Sequence, residues 1–85
     1  MKELVETVAR YLVRNPDAVN VTETTREGAC MLELRVAEED VGRVIGKEGR
    51  TAKALRAILN AAAARRNQRV VLEIIEKDRP KPEGE

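Results

Sequence analysis

Residues 42–56 read GRVIGKEGRTAKALR, and the fold turns on how Gly46 and Gly49 are taken. They bracket Lys47 and Glu48, follow a short apolar segment ending in Val44 and Ile45, and precede apolar residues at helical spacing. Glycine tolerates positive φ and has no Cβ, so the spacing predicts a tight turn joining two helices. Ala52, Leu55, Ile58, Leu59 and Ala62 form one stripe of the second helix, with Arg50, Lys53 and Asn60 opposite. That helix is predicted from about Gly49 to Ala64 or Arg65. Glu38, Glu39 and Asp40 suit the start of the helix before the turn, because carboxylates meet the positive end of its dipole.

Working outward, Leu4, Val5, Val8, Leu12 and Val13 recur at helical spacing until Asn15-Pro16-Asp17 stops them, which predicts a helix over 2–14. Val19 and Val21 open an alternating stretch, a turn follows at Arg26-Glu27-Gly28, and Leu32, Leu34 and Val36 alternate with Met31, Glu33 and Arg35. This is the pattern of a β-hairpin. Arg69 to Glu76, RVVLEIIE, reads as a last strand with Val70, Leu72 and Ile74 on one face. The order helix-strand-strand-helix-helix-strand predicts an α+β fold, a three-stranded sheet with three helices on one face. Residues 1–76 are expected to form one domain, and the charged, proline-rich 77–85 a disordered tail.

Composition narrows the function. The chain has 85 residues, enough for one small core, with 42% hydrophobic and 36% charged residues. Histidine is absent, which removes imidazole-based nucleophile systems and most metal sites. Cys30 stands alone and Tyr11 is the single aromatic residue, so no internal disulfide and no stacked aromatic platform is available. Both are read as packing residues. The N-terminal helix carries a charge every few residues, which fits neither a signal peptide nor a membrane span. A cytoplasmic protein without membrane association is expected.

Net charge is only +1, but residues 42–69 carry eight basic side chains against the single acid Glu48. The segment is +7 and the remainder −6. A basic middle calls for an anionic partner. The main-chain N–H groups at the start of the helix after the turn, with the charges of Lys47, Arg50, Arg43 and Lys53, suit a phosphate. A nucleotide P-loop is excluded: three residues, not four, separate Gly42 from Gly46, and Glu48 stands where a hydroxyl would hold magnesium. Arg65, Arg66 and Arg69 belong to the other end, about 24 Å along the helix from Gly49. The alternative reading is a purely structural turn in a protein-interaction or dimerisation module, with Ala54, Ala57, Ala61 and Ala64 as the contact strip.

The RVIGKEGRTAKALR turn within this element order resembles a type II KH domain. With KELVETVARYLV, NPDAV and RRNQRVVLEII, the chain is similar to the KhpA-like family of small bacterial KH proteins, from residue 2 to 76. The resemblance implies a non-enzymatic single-stranded RNA-binding protein that clamps about four nucleotides between a GxxG loop and an aliphatic groove. It assigns the clamp to Gly46, Lys47, Glu48 and Gly49, and an adjoining aliphatic position to Ile45. Val44 and Leu55 are candidates for groove or core. It further implies a broad RNA chaperone or post-transcriptional regulator, a homodimer, and a heterodimer with a larger KH-containing protein. No cofactor or metal is implied.

Overall fold

Glu27 and Gly28 both take positive φ, 53° and 79°, as a two-residue hairpin turn of matching twist requires. The turn joins β1 (Asn20–Arg26) to β2 (Ala29–Arg35) in an antiparallel ladder that pairs Val21 with Leu34 and Arg26 with Ala29. In this computed structural model, which describes residues 1–75, β3 (Arg69–Ile75) adds parallel to β2 with Leu32 opposite Leu72. The strand order is β1-β2-β3, leaving the outer edge of β3 without a strand partner. Glu76 and the segment 77–85, the expected tail, lie outside the described residues.

Helices α1 (Lys2–Leu12), α2 (Val41–Ile45) and α3 (Arg50–Ala64) complete the predicted order. α1 ends two residues earlier than the periodicity predicts, because Val13 turns to extended backbone ahead of Pro16. The sheet contributes Val21, Cys30, Leu32, Leu34, Val70 and Leu72 to one core, and the helices add Val5, Ala9, Val44, Leu55, Leu59 and Ala63. Full burial of a residue such as Leu32, Leu34 or Leu59 stabilises the fold by about 1.5–3 kcal/mol.

Two stripe assignments change. Ile58 is 54% exposed and Ala63 is buried. Ile58 precedes Leu59 by one residue and so points about 100° around the helix from it, whereas Ala63 lies one turn beyond Leu59 on the same face. Tyr11 is 88% exposed rather than packed. Cys30 is buried as expected, and its Sγ donates to Glu23 Oε2 at 3.2 Å. Burial first, then the bond to and the charge of Glu23, push its thiol up and keep it protonated.

The acids before α2 do not act as expected. Glu38–Asp40 form a 3-10 turn, and Asp40 makes no side-chain cap to α2. Its wholly buried carboxylate instead accepts from the N–H groups of Arg14 and Asn15 at 3.1 and 3.0 Å and from Asn15 Nδ2 at 2.9 Å. Burial pushes this carboxyl up. The bonds from the Asn15 side chain and the Arg14 and Asn15 backbone, with the charge of Arg43, outweigh it and hold the pKa below the usual carboxylate range. Asp40 thereby pins the segment after α1 to the start of α2 and fixes where α2 delivers the glycine turn.

Candidate nucleic-acid interface

α2 ends at Gly46, whose φ of 80° and ψ of 168° fall in a region that essentially only glycine occupies. A Cβ there would also lie 2.6 Å from Thr51 Cβ and 2.8 Å from the Thr51 backbone nitrogen. Lys47–Gly49 then make a single 3-10 turn in which Glu48 (φ 58°) and Gly49 (φ 74°) are left-handed. Space is open around the missing Cβ of Gly49. The first glycine therefore serves the fold of the turn, and the second leaves a gap on its surface.

The amides of the turn divide in two. Gly46 N–H donates to Gly42 O at 2.8 Å, Gly49 N–H to Gly46 O at 3.0 Å, and Arg50 N–H to Lys47 O. The expectation of free donors at the first residues of the second helix is thus corrected for Gly49 and Arg50, because the 3-10 turn uses them. Among the described residues no hydrogen bond takes up the N–H of Lys47 or Glu48. These two donors sit at the apex, one residue earlier than the sequence suggested.

The predicted cations have different surroundings. Lys47 and Lys53 are exposed and have no ion-pair partner among the described residues. Arg50 Nη2 lies 3.1 Å from Glu48 Oε1 with both side chains largely exposed, a contact worth about 0–1 kcal/mol and easily exchanged. Arg43 Nε lies 3.7 Å from Asp40 Oδ1, which ties this cation to the buried acid. Ile45 is half-buried beside the turn. Val44 is a correction: with no exposed surface it lies in the core beneath the turn, as does Leu55.

Sequence reasoning missed the region where α3 meets β3. Arg56 Nε and Nη2 both donate to the Leu72 carbonyl at 3.2 Å, and a cavity of about 160 Å³ opens among Arg56, Leu59, Asn60, Val70, Val71 and Leu72. Arg56 was visible only as one more cation of the basic segment. Its role depends on β3 being the edge strand, which the parallel pairing with β2 decides.

Helix-strand-strand-helix-helix-strand order, a mixed three-stranded sheet and a Gly-x-x-Gly turn between α2 and α3 define a type II KH domain. The sequence model described as KhpA/KhpB, KH domain, matches residues 2–74, and the chain belongs to that family. Among its relatives, the RNA-binding protein KhpA of Clostridium acetobutylicum is 57% identical over 75 residues, covering 88% of this chain and all of that protein. The RNA-binding protein KhpA of Clostridium perfringens is 53% identical over the same shares. That of Aquifex aeolicus is 50% identical over 76 residues, 89% of this chain and 96% of the relative. No solved structure matches. No helix among the described residues is long and apolar enough to cross a membrane.

Proposed function

We propose that this protein binds single-stranded RNA, its backbone crossing the Gly46–Gly49 turn. The carrying observation is the pair of unbonded amides at Lys47 and Glu48, set at the apex between the unpaired cations Lys47 and Lys53. Two N–H donors and flexible ammonium groups suit a phosphodiester without demanding a base. The open side of Gly49 lets the sugar-phosphate chain approach the main chain. Arg50 can leave Glu48 for a second phosphate at little cost. The names of the curated relatives support the same reading. The protein acts without catalysis, in the cytoplasm, as a broad RNA chaperone or post-transcriptional regulator.

The test is anisotropy of a labelled single-stranded RNA at two salt concentrations, with wild type and the double variant Lys47→Asp, Glu48→Asp. The wild type should lose affinity with salt at a slope of about −0.7 per phosphate contacted, and the folded double variant should lose most of its binding. Equal binding by both proteins rules out the turn as the contact.

A second reading concerns α3. Ala54, Ala57, Ala61 and Ala64 are exposed in line with the half-exposed Ile58, an apolar strip that suits close approach of a second chain. We propose that this strip mediates self-association or pairing with a larger KH-containing protein. Sedimentation should show a dimer for the wild type and a monomer for Ala57→Glu; monomers in both cases remove self-association.

A further inference from the structure

We infer that Arg56 and Asn60 form a base-reading pair at the free edge of β3, selecting guanine or cytosine over adenine and uracil. The inference rests on the RNA-binding reading and adds to it a site that discriminates among bases.

β3 is the edge strand, and the Leu72 carbonyl faces outward from it, since Arg56 reaches it from α3. Alternate strand residues point the same way, so the backbone groups of Val70 share this edge. The cavity beside it has an apolar floor of Leu59, Val70 and Leu72, and Arg56 and Asn60 supply its polar side chains. It is smaller than a typical pocket for a drug-sized ligand, which suits one flat ring system better than a larger molecule. It lies seven residues into α3 from Gly49, about 10 Å along the axis, within reach of a strand that crosses the turn.

The chemistry of Arg56 makes the site selective. A guanidinium has five N–H donors in a planar fork. Two of them, on Nε and Nη2, are held by the Leu72 carbonyl, which fixes the plane of the group. No acid pairs with it among the described residues, and its end-on donors on Nη1 and Nη2 have no partner there. Such a pair of donors matches two adjacent acceptors. Asn60 follows Arg56 by one helical turn, lines the same cavity, and its side-chain amide is likewise without a partner among the described residues. The pair therefore offers two donors followed by an acceptor.

Only two bases present the complement in order. Guanine offers N7, O6 and then N1–H; cytosine offers O2, N3 and then the N4 amino group. Adenine places its amino donor next to each ring acceptor, and uracil places N3–H between its two oxygens, so either base sets a donor against the guanidinium. The selection comes from leaving polar groups unpaired against the wrong base, which costs more than a right pair gains.

The experiment uses the full 85-residue chain and four uridine-tract heptamers that differ only at the central position, read by anisotropy. The guanosine or cytidine heptamer should bind at least fivefold tighter than the adenosine and uridine ones, the low end of what one good bidentate contact gives. Arg56→Lys keeps the charge and removes the fork, so the four affinities should converge while the uridine heptamer stays within about twofold of wild type. Asn60→Ala should narrow the preference by a smaller factor. Replacing guanosine by 7-deazaguanosine, which lacks N7, or cytidine by 3-deazacytidine, which lacks N3, should abolish the preference in the arm of the base read. Loss in neither arm overturns the proposal, as does a preference that survives Arg56→Lys. Equal binding of all four heptamers by wild type overturns it and leaves RNA binding standing; no binding of any heptamer overturns both.

Discussion

The same dipeptide, Glu-Gly, occurs twice in nearly the same backbone conformation and does different work. At Glu27-Gly28 the φ values are 53° and 79°, and at Glu48-Gly49 they are 58° and 74°. Both glycines face open space where a Cβ would be. The first pair only reverses the chain, because its neighbours Arg26 and Ala29 are partners in the β ladder. The second pair follows Gly46, leads into the fifteen-residue α3, and leaves two apex amides unbonded between lysines. A left-handed Glu-Gly is thus a way to turn; the helix and the unspent donors beside it make it a candidate site.

The comparison is broken most forcefully at Gly46, which has no counterpart in the hairpin. Gly46→Ala should cost roughly 3 kcal/mol or more, because the residue needs a glycine-only conformation and a Cβ would press on the Thr51 backbone. Gly28→Ala, in open space at a left-handed position, should cost only about 1–2 kcal/mol. Urea unfolding of the two variants measures the difference, and equal midpoints would make the two turns structurally equivalent.

A middle-sized effect follows from Asp40, an anchor for the helical turn that the hairpin lacks. Its carboxyl is held below the ordinary value near 3.8, so its ionised form stabilises the fold at all pH values above that point. That contribution is lost as pH falls from about 4 toward the lower folded-state value. Asp40→Asn offers one acceptor fewer to Arg14 and Asn15. It should lower the melting temperature at pH 6 and flatten its decline between pH 4 and pH 2. An unchanged pH profile would show that Asp40 is not the group that titrates.

The smallest effect sharpens the likeness. Glu27→Gly and Glu48→Gly each relieve a left-handed side-chain penalty of about 1–2 kcal/mol and add chain entropy worth about 0.5–1 kcal/mol. Each should stabilise by a few tenths to 1 kcal/mol in urea unfolding. Glu48→Gly should gain less, since it gives up the contact with Arg50.

The element order, the hairpin turn and the inward faces of β2 and β3 were legible in the sequence, because the alternation of Leu32, Leu34, Val70 and Leu72 and the halt at Pro16 are local signals. The glycine turn and its basic surroundings were legible for the same reason. Ile58 misled because an apolar side chain carries no label for the face it ends on. Val44 was assigned between groove and core, and only packing under the turn chose the core.

Periodicity and glycine spacing, properties of near neighbours in the chain, determined which segments coil, which extend and where a close-approach turn falls. Tertiary structure alone decided which amides stay free, that Asp40 reaches back 25 residues to Asn15, and that Arg56 meets Leu72 across 16 residues at an open strand edge. Those outcomes depend on donors and acceptors distant in sequence meeting in one place, and no local pattern encodes which partner a polar group will find.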